Sequence, residues 1–206
     1  MVAAVCAAAA LLAGCASPVP PAPAPIEPPA LVAKLRPRIG LALGGGAARG
    51  FAHVGVIQVL EEAGLKPDLV VGTSAGSLVA ALYASGRNGA QLQQVAQDME
   101  EAAFTDWTLP IFSRGMLRGE ALGRYVNSHV GNKLIEAMAI PLGIVATDLN
   151  SGQAVLFRSG DTGTAVRASS AVPAVFVPVR ISGHEYVDGG LAAPVPVRFA
   201  KERERR

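Results

Sequence analysis

The chain has 206 residues, 50% of them hydrophobic and 17% charged, with a net charge of +2. That length holds one domain with a sizeable core, and the hydrophobic share excludes wholesale disorder. So weak and dispersed a charge argues against a nucleic-acid groove, and two cysteines, Cys6 and Cys15, both at the extreme N-terminus, exclude a zinc cluster or a disulfide framework.

Val2 to Ala13 is apolar and uncharged. About twelve residues at ~1.5 Å each make roughly 18 Å of helix, short of the ~30 Å hydrocarbon core, so a signal-peptide apolar region over residues 1–14 fits better than a membrane span. Leu12-Ala13-Gly14-Cys15 resembles the lipobox of bacterial lipoproteins, which implies lipidation of Cys15 and a membrane-anchored protein of the bacterial cell envelope. No Lys or Arg precedes the apolar run, the first being Lys34, and the alternative is a cytoplasmic protein with a misassigned N-terminus. Residues 15–35 are rich in Pro and Ala and are expected to form an extended tether ahead of a domain over 36–206.

Within the domain, Ile39 to Leu43 reads as a strand, Gly44 to Gly50 as a glycine-rich turn, and Phe51 to Glu62 as a helix with Gly64 as its C-terminal cap. Leu69-Val70-Val71 is a buried-strand pattern, followed by Gly72-Thr73-Ser74-Ala75-Gly76 and an apolar helix from Ser77 to about Ala84. Two strand-turn-helix units in succession predict a three-layer α/β/α sandwich on a mainly parallel sheet. Gly89 to Ala103 and Gly119 to about Val130 read as amphipathic helices, separated by an irregular apolar stretch in which Trp107, Ile111 and Phe112 are candidate substrate-wall residues. Pro141 to Ala146 and Ala154 to Phe157 are expected to pair as a hairpin, and Thr162 to Ser169 to form a short helix. Val175 to Ile181 and His184 to Val187 read as strands leading into Asp188-Gly189-Gly190.

The chemistry gathers on the turns. A serine between a strand and a helix, flanked by Gly72 and Gly76, projects its hydroxyl from the sheet edge beside a helix N-terminus that favours developing negative charge. The bland reading of the same five residues is a serine N-cap. The turn from Gly44 to Gly50 offers backbone N–H groups unobstructed by side chains, and deleting one oxyanion donor of that kind costs about 3 kcal/mol of catalysis. A dinucleotide fingerprint fails because Arg49 stands where its third glycine belongs, and no Gly-Lys-Ser/Thr follows for a phosphate loop. Of the three histidines, His53 is expected to pack on its own helix and His129 to end a helix. His184, with Asp148 or Asp161, offers a Ser-Asp-His order; Asp188, in a tight turn after a strand, offers a carboxylate base without histidine.

Three ordered features, the glycine turn ending in Arg49-Gly50, Gly72-x-Ser74-x-Gly76 and Asp188-Gly189-Gly190, resemble the patatin-like phospholipase family, particularly its small bacterial members. So do Gly50-Phe51-Ala52-His53-Val54-Gly55-Val56, Ala146 to Gly152 and Arg167 to Pro173, and the resemblance spans about Arg38 to Ala200. It implies a lipid acyl hydrolase with Ser74 as nucleophile, Asp188 as base, the backbone of Gly45 and Gly46 as oxyanion hole, and Arg49 near that loop. It implies no metal or organic cofactor and a lipid ester as substrate, beside the absence of a nucleic-acid partner already argued from the charge. The rival within the same fold is a catalytically inactive lipid-binding or scaffold protein. Two departures accompany the resemblance: Ala47 stands where the family commonly has a third glycine, and no hydrophobic strand follows Pro194 to Ala200, which suggests a shortened C-terminus and an open sheet edge.

Overall fold

The structure, a computed structural model, describes residues 38–99, 106 and 115–204; the expected signal peptide, Cys15, the tether and Trp107, Ile111 and Phe112 lie outside the described residues. Its central sheet begins as the sequence suggests, with β1 (Gly40–Leu43) and β2 (Leu69–Thr73) in parallel and β2 parallel to β4 (Leu142–Asp148). Beyond that core the sheet is mixed rather than mainly parallel. β4 turns back antiparallel into β5 (Ala154–Phe157), and the hairpin of β7 (Val179–Ile181) and β8 (His184–Val187) joins β4 antiparallel.

Every residue of β2 and β4 is buried. Successive side chains on a strand point to opposite faces, and the packing divides accordingly. Val70, Leu142 and Ile144 join the core beneath α1 (Ala52–Glu62), α2 (Ala75–Ala84) and α4 (Glu120–His129). Leu69, Val71 and Val145 face the other way, onto Phe199 and Ala200 of α6 (Val197–Glu204). Helices thus cover both faces, which makes the three layers.

The register of β4 decides where the ends of the chain's strands meet. Val145 pairs with Thr73 of β2 and with Leu156 of β5, so β2 and β5 occupy opposite edges of β4. Thr147 pairs with Ala154 of β5 and with Val187 of β8. β8 therefore lies on the same edge as β2, just past its end. Ser74 and Asp188, the residues that follow Thr73 and Val187, are brought together by this end-to-end arrangement.

Smaller elements differ from the sequence reading for local reasons. The expected strand from Val175 to Ile181 is two strands: β6 (Ala174–Phe176) pairs in parallel with β3 (Gly115–Leu117) in a separate two-stranded sheet, and β7 belongs to the main sheet. Pro178 lies between them and has no N–H for either ladder. α3 (Gly89–Gln97) starts with a reciprocal capping box between Asn88 and Gln91. α4 starts after Gly119, at φ 72, and the Asp106 carboxylate accepts from the Gly119 N–H at 2.7 Å and the Ala121 N–H at 2.9 Å. α5 (Thr162–Ser169) starts at Asp161, whose carboxylate accepts from the Thr164 N–H at 2.7 Å.

Candidate active site

Ser74 sits between β2 and α2 with φ 51 and ψ −127, a positive φ that side chains other than glycine rarely adopt. The sharp reversal is possible because strand and helix are nearly in contact. A methyl group on Gly72 would run into the Gly76 carbonyl, and one on Gly76 would run into the carbonyl of Leu43 at the end of β1. The Ser74 hydroxyl consequently points out of the sheet, where it donates to Asp188 Oδ2 at 2.6 Å.

Asp188 is buried, and each of its polar groups has a partner. Oδ1 accepts from the Gly190 N–H at 2.6 Å, the backbone N–H donates to the Ala171 carbonyl at 2.9 Å, and the backbone carbonyl accepts from the Thr147 hydroxyl at 2.9 Å. Gly189 must be glycine because a methyl there would strike the Val145 carbonyl. The carboxylate is thus fixed at one oxygen by Gly190 and presents the other to the serine.

The alternative histidine base is placed elsewhere. His184 Nδ1 lies 3.2 Å from Asp148 Oδ2, with a side chain 62% exposed, and Asp148 is in turn held by the Ser151 N–H at 2.8 Å and the Ser151 hydroxyl at 2.9 Å. The backbone N–H of Ser151, then its hydroxyl, then His184 and Asn150 hold the Asp148 carboxyl below the ordinary carboxylate value, against the cost of burial. Asp161 is a helix cap, and His129 Nδ1 donates to the Tyr125 carbonyl at 2.8 Å near the end of its helix.

The glycine turn departs from expectation at Gly45. The Gly45 N–H donates to the Pro194 carbonyl at 2.9 Å, and the preceding Gly44 carbonyl accepts from His53 Nε2 at 2.8 Å, so that peptide is tied at both ends. Of the two amides expected at an anion site, the Gly45 N–H is therefore already taken, whereas the Gly46 N–H has no carbonyl partner among the described residues. Gly45 contributes space instead: a methyl there would lie 3.2 Å from Ser74 Cβ. Arg49 closes the turn through its backbone, donating to the Gly46 carbonyl at 3.0 Å, while its side chain is exposed. Ala47 takes φ 48, so the position that carries alanine in place of glycine is a left-handed one.

Ser74 opens onto a cleft of about 380 Å³ lined by Phe51, Leu78, Val79, Leu122, Val172 and Phe176, with Ser74 and Ser170 as the polar side chains among the described residues. The arrangement can pair a nucleophile with a base at the mouth of an apolar channel beside a helix N-terminus. Sequence reasoning missed His53 as a brace of the glycine turn and Ser169, whose hydroxyl accepts from the Ser74 N–H at 2.8 Å. A histidine three residues after Gly50 was a legible hint of the first; Ser169 lies in the Arg167 to Pro173 stretch that resembles the family, but nothing in that stretch pointed to Ser74.

The family profile described as Patatin-like phospholipase matches residues 41–201. An uncharacterized NTE family protein of Mycobacterium tuberculosis is 39% identical over 162 residues, covering 78% of this chain and 45% of that protein. Patatin-like phospholipase domain-containing protein 6 of Mus musculus is 35% identical over 171 residues, covering 79% of this chain and 12% of that protein. The chain therefore spans less than half the length of these relatives. Among solved structures, VipD from Legionella pneumophila superposes with a TM-score of 0.51 at 17% identity, over 74% of this chain and 45% of that one. ExoU of the Pseudomonas aeruginosa type III secretion system does so with a TM-score of 0.50 at 19% identity, over 65% and 38%. At these identities the two structures speak to the fold alone.

Proposed function

The chain belongs to the patatin-like phospholipase family, and from that premise we propose that it is a serine acyl hydrolase cleaving carboxylic esters of lipids, phospholipid or lysophospholipid, through a Ser74–Asp188 dyad and an acyl-enzyme. The observation that carries the reading is the 2.6 Å hydrogen bond from the Ser74 hydroxyl to Asp188 Oδ2 beside an apolar cleft.

An acyl chain seated among Phe51, Leu78 and Phe176 presents its ester carbonyl to Ser74. As Oγ attacks the carbonyl carbon, its proton passes to Asp188 Oδ2, along the hydrogen bond already made. Negative charge gathers on the former carbonyl oxygen, where the Gly46 N–H and the N-terminus of α2 stabilise it. Collapse expels the alcohol, which takes the proton from Asp188, and leaves the acyl chain on Ser74. Water then attacks the acyl-enzyme with Asp188 again accepting a proton, and the fatty acid and free serine are regenerated.

Fluorophosphonate labelling together with hydrolysis of a phospholipid and lysophospholipid panel tests the reading. Labelling should disappear in Ser74→Ala, and Asp188→Asn should lower turnover by about 10²–10⁴-fold, the usual span for a lost general base. His184→Ala should leave turnover nearly unchanged. Loss of hydrolysis in His184→Ala with Asp188→Asn spared would overturn the dyad, and folded protein that neither labels nor hydrolyses would favour a lipid-binding scaffold.

A further inference from the structure

The strand that delivers Ser74 leaves the sheet one rung early. Donors along one edge of a strand are two residues apart, and on β2 they begin with the Val70 N–H to the Pro141 carbonyl at 2.9 Å. Two more steps would bring the Ser74 N–H to the Val145 carbonyl, consistent with the pairing of Thr73 and Val145. That bond is not made. Instead the Ser169 hydroxyl sits between the two groups, accepting from the Ser74 N–H at 2.8 Å and donating to the Val145 carbonyl at 2.5 Å. Ser169 is fully buried, at 0% exposure, at the last position of α5.

Two residues further on, the Ala171 carbonyl accepts the backbone N–H of Asp188 at 2.9 Å. One short segment thus grips the backbone of both dyad residues, which are otherwise separated by most of the domain. We infer that Ser169 is a positioning residue for the proposed hydrolysis: its hydroxyl replaces a missing rung of the sheet, holds the strained Ser74 backbone away from β4, and with Ala171 sets the spacing of Ser74 from Asp188. The inference rests on the hydrolase reading. The physical reason to expect an effect on rate is that a positive-φ residue persists only when its surroundings over-determine it. A nucleophile displaced by about 1 Å can lose on the order of 10²-fold in rate.

The experiment uses the full chain, a short p-nitrophenyl ester, and fluorophosphonate titration to express kcat per functional site. Ser169→Ala should lower kcat and the fluorophosphonate reaction rate by about tenfold or more while KM stays within about twofold, because the acyl cleft is untouched. Ser169→Cys, close in size but a weaker hydrogen-bonding group, should fall between parent and alanine variant. A merely structural role would lower the melting temperature and the titratable fraction but leave kcat per site unchanged. A loss of kcat per site smaller than about fivefold in folded Ser169→Ala overturns the inference. Should that variant not fold, Ser169→Cys decides: a kcat per site equal to the parent's overturns the inference. Ser74→Ala, run in parallel, separates the two ideas: hydrolysis surviving there defeats the hydrolase reading itself, whatever Ser169 does.

Discussion

Ala47 shows how one methyl group can be out of step with its backbone. At φ 48 its Cβ crowds the neighbouring carbonyl, which costs roughly 1–2 kcal/mol for a residue other than glycine. Glycine would remove that strain and return part of the gain as extra freedom of the unfolded chain. Ala47→Gly should therefore raise stability by about 0.5–1 kcal/mol, read as a higher urea midpoint at constant slope. The sequence already marked Ala47 as standing where a glycine is usual, and marked Ser74 and Asp188 through the glycines around them. It could not reveal that the Gly45 N–H is taken by Pro194 or that Ser169 supports Ser74, because both partners arrive from distant parts of the chain.

Between elements, the site depends on how closely β2, α2 and β1 approach. Gly72 and Gly76 face backbone atoms rather than the ends of flexible side chains, so an added methyl cannot be accommodated by a rotamer change. Gly72→Ala should leave little folded protein at 37 °C, checked by far-UV circular dichroism and thermal melting. If the variant melted like the parent, the close strand-helix contact would be wrong. Strand-turn-helix units of this kind were readable because their glycines and apolar runs are local. The division of Val175 to Ile181 between two sheets was readable only in part: Pro178 marks the break, but which sheet each half joins is set by distant partners, Leu117 for Phe176 and Tyr186 for Val179. Asp106 escaped notice for a similar reason: its carboxylate caps a helix that begins well after it.

Across the molecule, Ser74 and Asp188 are brought together by β8 lying beyond β2 on one edge of β4, and Asp148 stands where that junction is made. It pairs with Tyr186 in the sheet, accepts from Asn150 and Ser151 in the turn between β4 and β5, and meets His184 at the start of β8. Its carboxyl titrates below the ordinary carboxylate value, so the folded state prefers the ionised form more than the unfolded chain does. For a depressed pKa the sign is fixed: the stabilisation is fully present above the unfolded value and is lost as pH falls through the lower folded value. Asp148→Asn should accordingly lower the urea midpoint at pH 7, and the gap between variant and parent should close as the pH is taken below about 4, where the unfolded parent's carboxyl is protonated. A midpoint difference that stays constant down to the most acidic pH at which the parent folds would show that the charge of Asp148 does not hold the junction together.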